Sequence, residues 1–405
     1  MYFNNLLNRA SAAALVLVLQ ACGGGGGGGG GAPAPAATGN ELKVTVDSGP
    51  SGGGYNVNRL YADVTICVPG SKTQCQTIDH VLVDTGSTGL RVLSGVLDPA
   101  LNFTRITGST GLPLLNCAQF VDGSFAWGPV VTSDIQLGGK TAASAPIQII
   151  ADSAFNNLSS NCSFGTNVKT AADLGAKGIL GLGLFKEDCR SSCAVNPNNT
   201  YYFTCTTASC TAVSGALASL DKQVKNPVPL FATDNTGFVI ALPVASPLGA
   251  TSMVGSVFFG IGTQANNQFG SEVVLKTSPT GYFTTLFAGR TLSTSFTDTG
   301  SNGTYFDPGG QPLCANGSGF YCPTVATQLS ATIVGVGGGS VPVNFSIYDP
   351  QAAFNAKFTV IPGLSGNIND AQTFDWGLPF FYGRKVFIGI DGQSSPMGTG
   401  PFNAF

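Results

Sequence analysis

A seven-residue phrase occurs twice in this chain, and the repeat constrains the fold more than any other feature. Val83-Asp84-Thr85-Gly86-Ser87-Thr88-Gly89 returns as Thr297-Asp298-Thr299-Gly300-Ser301-Asn302-Gly303, 214 residues later. Each copy follows a run of strand-forming residues and precedes a Gly-containing turn. One Asp-x-Gly is ordinary turn chemistry. Two copies separated by roughly half the folded chain point to two lobes of like structure, each presenting a carboxylate at the end of a strand.

The stretches between the boxes read as an all-β protein. Short β-type runs recur at Tyr61–Cys67, Thr77–Val83, Ile147–Ile150, Gly237–Leu242 and Val386–Ile390. Turn pairs such as Asp122-Gly123, Gly138-Gly139, Pro308-Gly309 and Asp391-Gly392 lie between runs. No amphipathic pattern has the length of an ordinary helix; residues 215–220 are expected to form one short helix. A chain of 405 residues with 43% hydrophobic content supports two lobes with substantial cores, expected over 41–228 and 229–405. Only 10% of residues are charged and the net charge is -3, which excludes a basic footprint for nucleic acid.

The first residues read as a targeting segment. Arg9 precedes an apolar run from Ala10 to Leu19 that is too short for a permanent span and fits a signal core. Leu19-Gln20-Ala21-Cys22 resembles the bacterial lipobox, which implies cleavage after residue 21 and lipid on Cys22. Gly23, not Asp, follows Cys22, which resembles the pattern sorted to the outer membrane. Residues 22–40, rich in Gly, Ala and Pro, then form a flexible tether. Export implies oxidation, and ten further cysteines remain: Cys67, Cys75, Cys117, Cys162, Cys189, Cys193, Cys205, Cys210, Cys314 and Cys322. Short spacings favour Cys67–Cys75 and Cys314–Cys322, with a longer Cys117–Cys162 and a nested pair, Cys189–Cys210 and Cys193–Cys205, around a hairpin. Spacing alone does not decide connectivity. A four-cysteine zinc site at Cys189, Cys193, Cys205 and Cys210 is the competing reading.

Asp-Thr-Gly-Ser after an apolar strand, twice, resembles the active-site boxes of pepsin-like aspartic peptidases. The resemblance extends as an ordered set of motifs over about residues 55 to 395. Gln119-Phe120-Val121-Asp122-Gly123-Ser124 looks like that family's flap hairpin, and Asp134 to Gly139 like the following strand. Lys177 to Gly183 and Trp376 to Tyr382 look like the two segments threaded behind the aspartates. Gly255 to Gly262 and Gly281 to Thr284 have counterparts in the second lobe. The Val-Asp-Thr-Gly-Ser-Thr-Gly-Leu-Arg box is also similar to one in a bacterial lipoprotein family of unassigned function.

The resemblance implies a bilobal all-β fold in which Asp84 and Asp298 meet as a catalytic dyad. Two carboxyls about 3 Å apart share one proton, because both cannot ionise cheaply. The ionised one takes a proton from water and the protonated one polarises the scissile carbonyl. Thr85 and Thr299 would tie the two loops together, Gly86 and Gly300 would let backbone N–H groups approach, and Ser87 and Ser301 would donate to the outer oxygens. Phe120, Asp122, Gly123 and Ser124 would contact substrate from the flap. Two positions depart from the family pattern: Phe120 stands where Tyr is usual, and Arg91 where a Trp is usual. The serines favour an acidic optimum and burial opposes it; sequence leaves the two unranked. His80, the sole histidine, lies in a strand and reads as structural, and the run Phe380-Phe381-Tyr382 reads as core.

The expected function is therefore an aspartic-type endopeptidase, monomeric, without metal or cofactor. It would act on a peptide or protein substrate and not on nucleic acid. Its lipid anchor would hold it in the cell envelope, at the outer membrane facing the periplasm or the cell surface. The alternatives are a catalytically silent module of the same fold that binds extended peptides or envelope proteins, and a structural surface lipoprotein.

Overall fold

The computed structural model describes residues 39–162, 165–210, 216–307 and 310–405. The signal segment, Cys22, residues 22–38 of the tether and the Pro308-Gly309 turn lie outside the described residues. The fold is all-β and bilobal. A 16-stranded sheet runs through the first lobe and the junction, and a 7-stranded sheet builds most of the second lobe. The described helices are single turns or little more, such as Ala171–Leu174 and Gln351–Asn355.

Both lobes repeat one arrangement around their boxes. In the first, the strand Cys75–Asp84 ends at the box and Thr88–Leu93 leaves it. The strand Gly178–Leu182 threads between them, parallel to the first with Gly181 opposite Asp84, and antiparallel to the second. In the second lobe, Arg290–Asp298 ends at the box and Thr304–Phe306 leaves it. Phe374–Gly377 threads between these two, parallel to the first with Gly377 opposite Asp298, and antiparallel to the second. Each threaded strand is fully buried, so it reads as an apolar run rather than an alternating one.

The strand Glu41–Val46 stitches the lobes by pairing antiparallel with both Leu60–Cys67 and Met253–Phe259. The buried Asn58 adds a second stitch. Its amide donates to the carbonyls of Asn302 and Ile361, each at 2.8 Å, and its oxygen accepts from Ile361 N–H and the Tyr382 hydroxyl. The second lobe is filled by aromatic rings: Phe374 stacks on Trp376 at 4.2 Å and on Phe306 at 4.9 Å between centroids. Phe380, Phe381 and Tyr382 are buried in this core, as expected.

Two expectations are corrected. Residues 216–220 carry no helix, and Gly215 lies outside the described residues. The four middle cysteines pair locally, Cys189–Cys193 and Cys205–Cys210, rather than in a nest. The reason is the path of the chain. Cys189 caps the helix Arg190–Val195, which brings Cys193 one turn above it, and Cys205 faces Cys210 across a tight turn closed by Thr206 N–H on Ser209 O. The strand Tyr202–Thr204 pairs with residues 114–116 instead of folding back on the helix, so no hairpin exists for a nest to close. The same pairing occupies all four thiolates of the competing zinc reading. Cys67–Cys75, Cys117–Cys162 and Cys314–Cys322 form as expected.

Candidate active site

The two boxes meet at the junction of the lobes. Their threonines lock them reciprocally: Thr299 N–H donates to Thr85 Oγ1 at 3.0 Å, and Thr85 N–H to Thr299 Oγ1 at 3.1 Å. Each hydroxyl then donates across to the opposite strand, Thr299 to Val83 O at 2.7 Å and Thr85 to Thr297 O at 3.3 Å. All four are buried backbone or near-backbone contacts, so they fix the loops with little freedom.

This lock brings the carboxyls together. Gly86 N–H donates to both Asp84 Oδ1, at 2.8 Å, and Asp298 Oδ1, at 3.1 Å. Gly300 N–H donates to Asp298 Oδ1 at 2.7 Å. The outer oxygens are held by the serines, Ser87 on Asp84 Oδ2 at 2.6 Å and Ser301 on Asp298 Oδ2 at 2.7 Å. Glycine is required at both turns. A Cβ on Gly86 would lie 2.7 Å from Asp298 Oδ1, and one on Gly300 2.7 Å from Asp84 Oδ1. Asp84 is nearly buried, Gly86 is exposed, and Asp298 and Gly300 are half-exposed, so the pair opens to solvent on one side.

Burial first, then the charge of Asp84 and the hydrogen bond between the two carboxyls, push Asp298 up to about 8. Ser301 and the Gly300 N–H pull the other way and lose. Asp298 keeps one edge open to solvent, and repulsion from Asp84 drives the shift upward. The competition between serine donors and burial is thus decided toward the protonated form at Asp298.

The expected flap is a hairpin between the strands Leu114–Gln119 and Phe125–Leu137. Its tip is closed by Phe120 N–H on Ser124 O at 2.9 Å and Gly123 N–H on Phe120 O at 3.0 Å. Asp122 accepts from the Ser124 N–H and hydroxyl, so both side chains shape the turn. Phe120 is half-buried against the cluster of Tyr61, Leu82 and Ile179, while Val121 is 87% exposed at the tip. Val121 is the tip's apolar side chain on offer, and sequence reasoning passed over it.

Arg91 is buried, and it faces inward rather than toward the flap tip. It donates to Thr88 O and pairs with the buried Asp188 at 3.0 Å. Asp188 also accepts from Tyr202 and from Asn116 on the flap's first strand. Burial pushes Asp188 up and Arg91 opposes it. His80 contacts Asp79 and Asp47, outside the dyad, as a structural histidine would. Among the described residues no group of three or more His, Cys, Asp or Glu side chains is arranged to hold a metal ion. A further carboxyl, Asp375, sits on the second threaded strand with its Oδ1 buried and unpartnered. Sequence reasoning missed it, although it stands where the first threaded strand carries Ile179.

A family model described as "Protein of unknown function (DUF3443)" matches residues 36–405. The chain belongs to this DUF3443 family. Among solved structures, an aspartic proteinase from Irpex lacteus is similar over 90% of this chain and 96% of that one, at 15% identity and a TM-score of 0.47. No curated protein matches the chain.

Proposed function

We propose that this DUF3443 chain is an aspartic-type endopeptidase held on a lipid anchor in the cell envelope. One observation carries the reading: a single backbone N–H, that of Gly86, bonds to a carboxylate oxygen from each lobe. Two carboxyls that close cannot both be charged, so the pair holds one proton at working pH. The raised Asp298 is its natural seat, leaving Asp84 as base.

The chemistry follows from that division. Asp84 takes a proton from water as the water oxygen attacks the peptide carbonyl. Asp298 donates its hydrogen bond to the developing oxyanion. Collapse breaks the C–N bond, the leaving nitrogen takes the proton from Asp84, and Asp298 ends protonated as it began. No metal or cofactor enters these steps. The substrate is an extended peptide lying beneath Val121 and Phe120, and the protein acts as a monomer.

Phe120 supports a second reading, a silent module that binds extended peptides, because that position offers no hydroxyl. Incubating the soluble domain with a diverse peptide library from pH 3 to 9 separates the two. The peptidase reading expects cleavage that Asp84→Asn removes; binding without cleavage would favour the module.

The lipid anchor has its own test. Cys22→Ser is expected to release the protein from membranes and abolish palmitate labelling. Unchanged sedimentation with membranes would sink the anchor and the outer-membrane placement with it.

A further inference from the structure

We infer that Asp375 is a positioning residue for the dyad, one that dictates, through the Ser301 hydroxyl, how hydrogen bonds run on the outer oxygen of Asp298. The inference rests on the peptidase reading and extends it to a residue outside both boxes.

The position is the first argument. Asp375 lies two residues before Gly377, which pairs with Asp298. The same place in the first lobe, two residues before Gly181, is Ile179. The backbone thus accepts an apolar side chain here, and the second lobe carries a carboxyl instead. Asp375 is only 5% exposed, and its Oδ1 has no hydrogen-bond partner. A buried polar group left so is unfavourable for stability, and such sites commonly serve function.

The neighbours supply the second argument. Tyr305 stands opposite Asp375 across the antiparallel ladder, its hydroxyl committed to Asn302. Arg59 acts on Tyr305. The two dyad carboxyls and the Ser301 hydroxyl lie close enough to act on Asp375. Burial first, and then Asp298, hold Asp375 well above the usual carboxylate range, with Ser301 offsetting part of the rise. Its burial and its unpartnered Oδ1 favour the neutral carboxyl, which has one O–H to place.

Ser301 has already committed its own proton to Asp298 Oδ2. A hydroxyl oxygen can also accept, so the proposed chain runs from Asp375 O–H to Ser301 O–H to Asp298 Oδ2. Each bond in such a chain polarises the next. Ser301 is locked as a donor, and Asp298 Oδ2 is locked as an acceptor. The proton shared by the dyad is then confined to the inner edge, where the Oδ1 atoms of Asp84 and Asp298 meet at Gly86 N–H. Ser87 has no such lock, because Ile179 offers no donor.

Two substitutions test this. Asp375→Ile copies the first lobe and removes the donor; Asp375→Asn keeps an N–H for Ser301. Asp375→Ile is expected to raise the thermal midpoint by a few degrees and to slow peptide-library cleavage by about tenfold or more. Its upper pH limb should move to higher pH, because a weaker Ser301 bond favours ionised Asp298 less. Asp375→Asn should cleave near the native rate. Infrared spectra at neutral pH give a readout independent of turnover: a protonated-carboxyl band that both variants lose. Native-rate cleavage by Asp375→Ile with an unmoved limb overturns the inference. So does equal loss of stability and rate in both variants, which would make Asp375 a packing residue, or a carboxyl band that neither variant removes. Should the native protein cleave nothing, the peptidase reading fails, and the infrared band alone decides whether Asp375 holds its proton.

Discussion

The two lobes share a backbone plan around their boxes but not an electrostatic one. Both threaded strands place a glycine opposite the box aspartate and a second residue two places earlier against the strand that leaves the box. In the first lobe that pair is Ile179 and Arg91; in the second it is Asp375 and Tyr305. Behind Asp84 the fold thus buries a guanidinium paired with Asp188, and behind Asp298 an uncompensated carboxyl. The loops are equal and their backing is not, but the backing is not what raises Asp298: its own burial and the neighbouring Asp84 do. A symmetric pair would share its proton without preference; here burial and repulsion seat it on Asp298.

The largest effect should come from abolishing the division altogether. Asp84→Asn and Asp298→Asn are each expected to lower turnover by about four orders of magnitude or more, and the double variant hardly further, because the pair acts as a unit. Folding should survive, since each Asn keeps most contacts of the box. Single losses that multiply in the double variant would mean that the carboxyls act separately, and the asymmetry argument would go with them.

Next comes the backing of the first lobe. Arg91→Leu leaves Asp188 buried without its cation, which should cost about 3–5 kcal/mol of stability in chemical denaturation. Adding Asp188→Asn removes the stranded charge and should recover much of that loss. Because burial already raises Asp188, the cost should also shrink as pH falls and the carboxyl protonates. A small, pH-independent cost would show that Arg91 is a space-filler rather than a charge behind the box.

The raised Asp298 makes a stability prediction with a definite sign. Its unfolded value is about 4, and its folded value is pushed up to about 8. The folded state therefore holds this proton more tightly. The stabilisation is full below about pH 4 and is lost as pH rises toward about 8. Asp298→Asn cannot titrate and should flatten that decline in denaturation midpoints measured across the interval. The same limb should close turnover near the upper value, because the acid is then gone. A native protein whose stability is level from pH 4 to 8 would place the proton elsewhere.

Much of this was legible in the sequence because it is periodic or repeated. The β-type run at 61–67 became a strand and that at 386–390 did so as far as Gly389, and the doubled box announced both lobes and the residues that meet between them. What stayed hidden depends on register. Asp375 sits inside Phe-Asp-Trp-Gly, an apolar run in which one carboxyl looks incidental until the ladder sets it beside Ser301's lobe of the dyad. Arg91 stood out as a departure, but its partner Asp188 is 97 residues away and no spacing rule joins them. The cysteines failed for the opposite reason. The nested arrangement presumed a hairpin, and local turns brought each pair together first.

The smallest effect should come from the flap, where the lobes differ most in shape. The first lobe's hairpin ends at Phe120–Ser124 with Val121 projecting into solvent. The hairpin at the matching place in the second lobe, Thr327–Val334 with Ser340–Ile347, ends in a glycine-rich turn and pairs into its own sheet. The first carries the aromatic Phe120 at its tip, whereas the second keeps its aromatic, Phe345, in the core against Trp376. Phe120 is half-buried against Tyr61 and Leu82, so its ring serves packing whether or not substrate is bound. Phe120→Tyr adds a hydroxyl to the ring without disturbing that packing, and it should change kcat/KM by only a few-fold. Phe120→Ala removes the ring and should raise KM more than it lowers kcat, because the lost contact is apolar and present in both ground and transition states. Should neither substitution move either constant, the hairpin does not cover the site, and substrate must be held by the lobes alone.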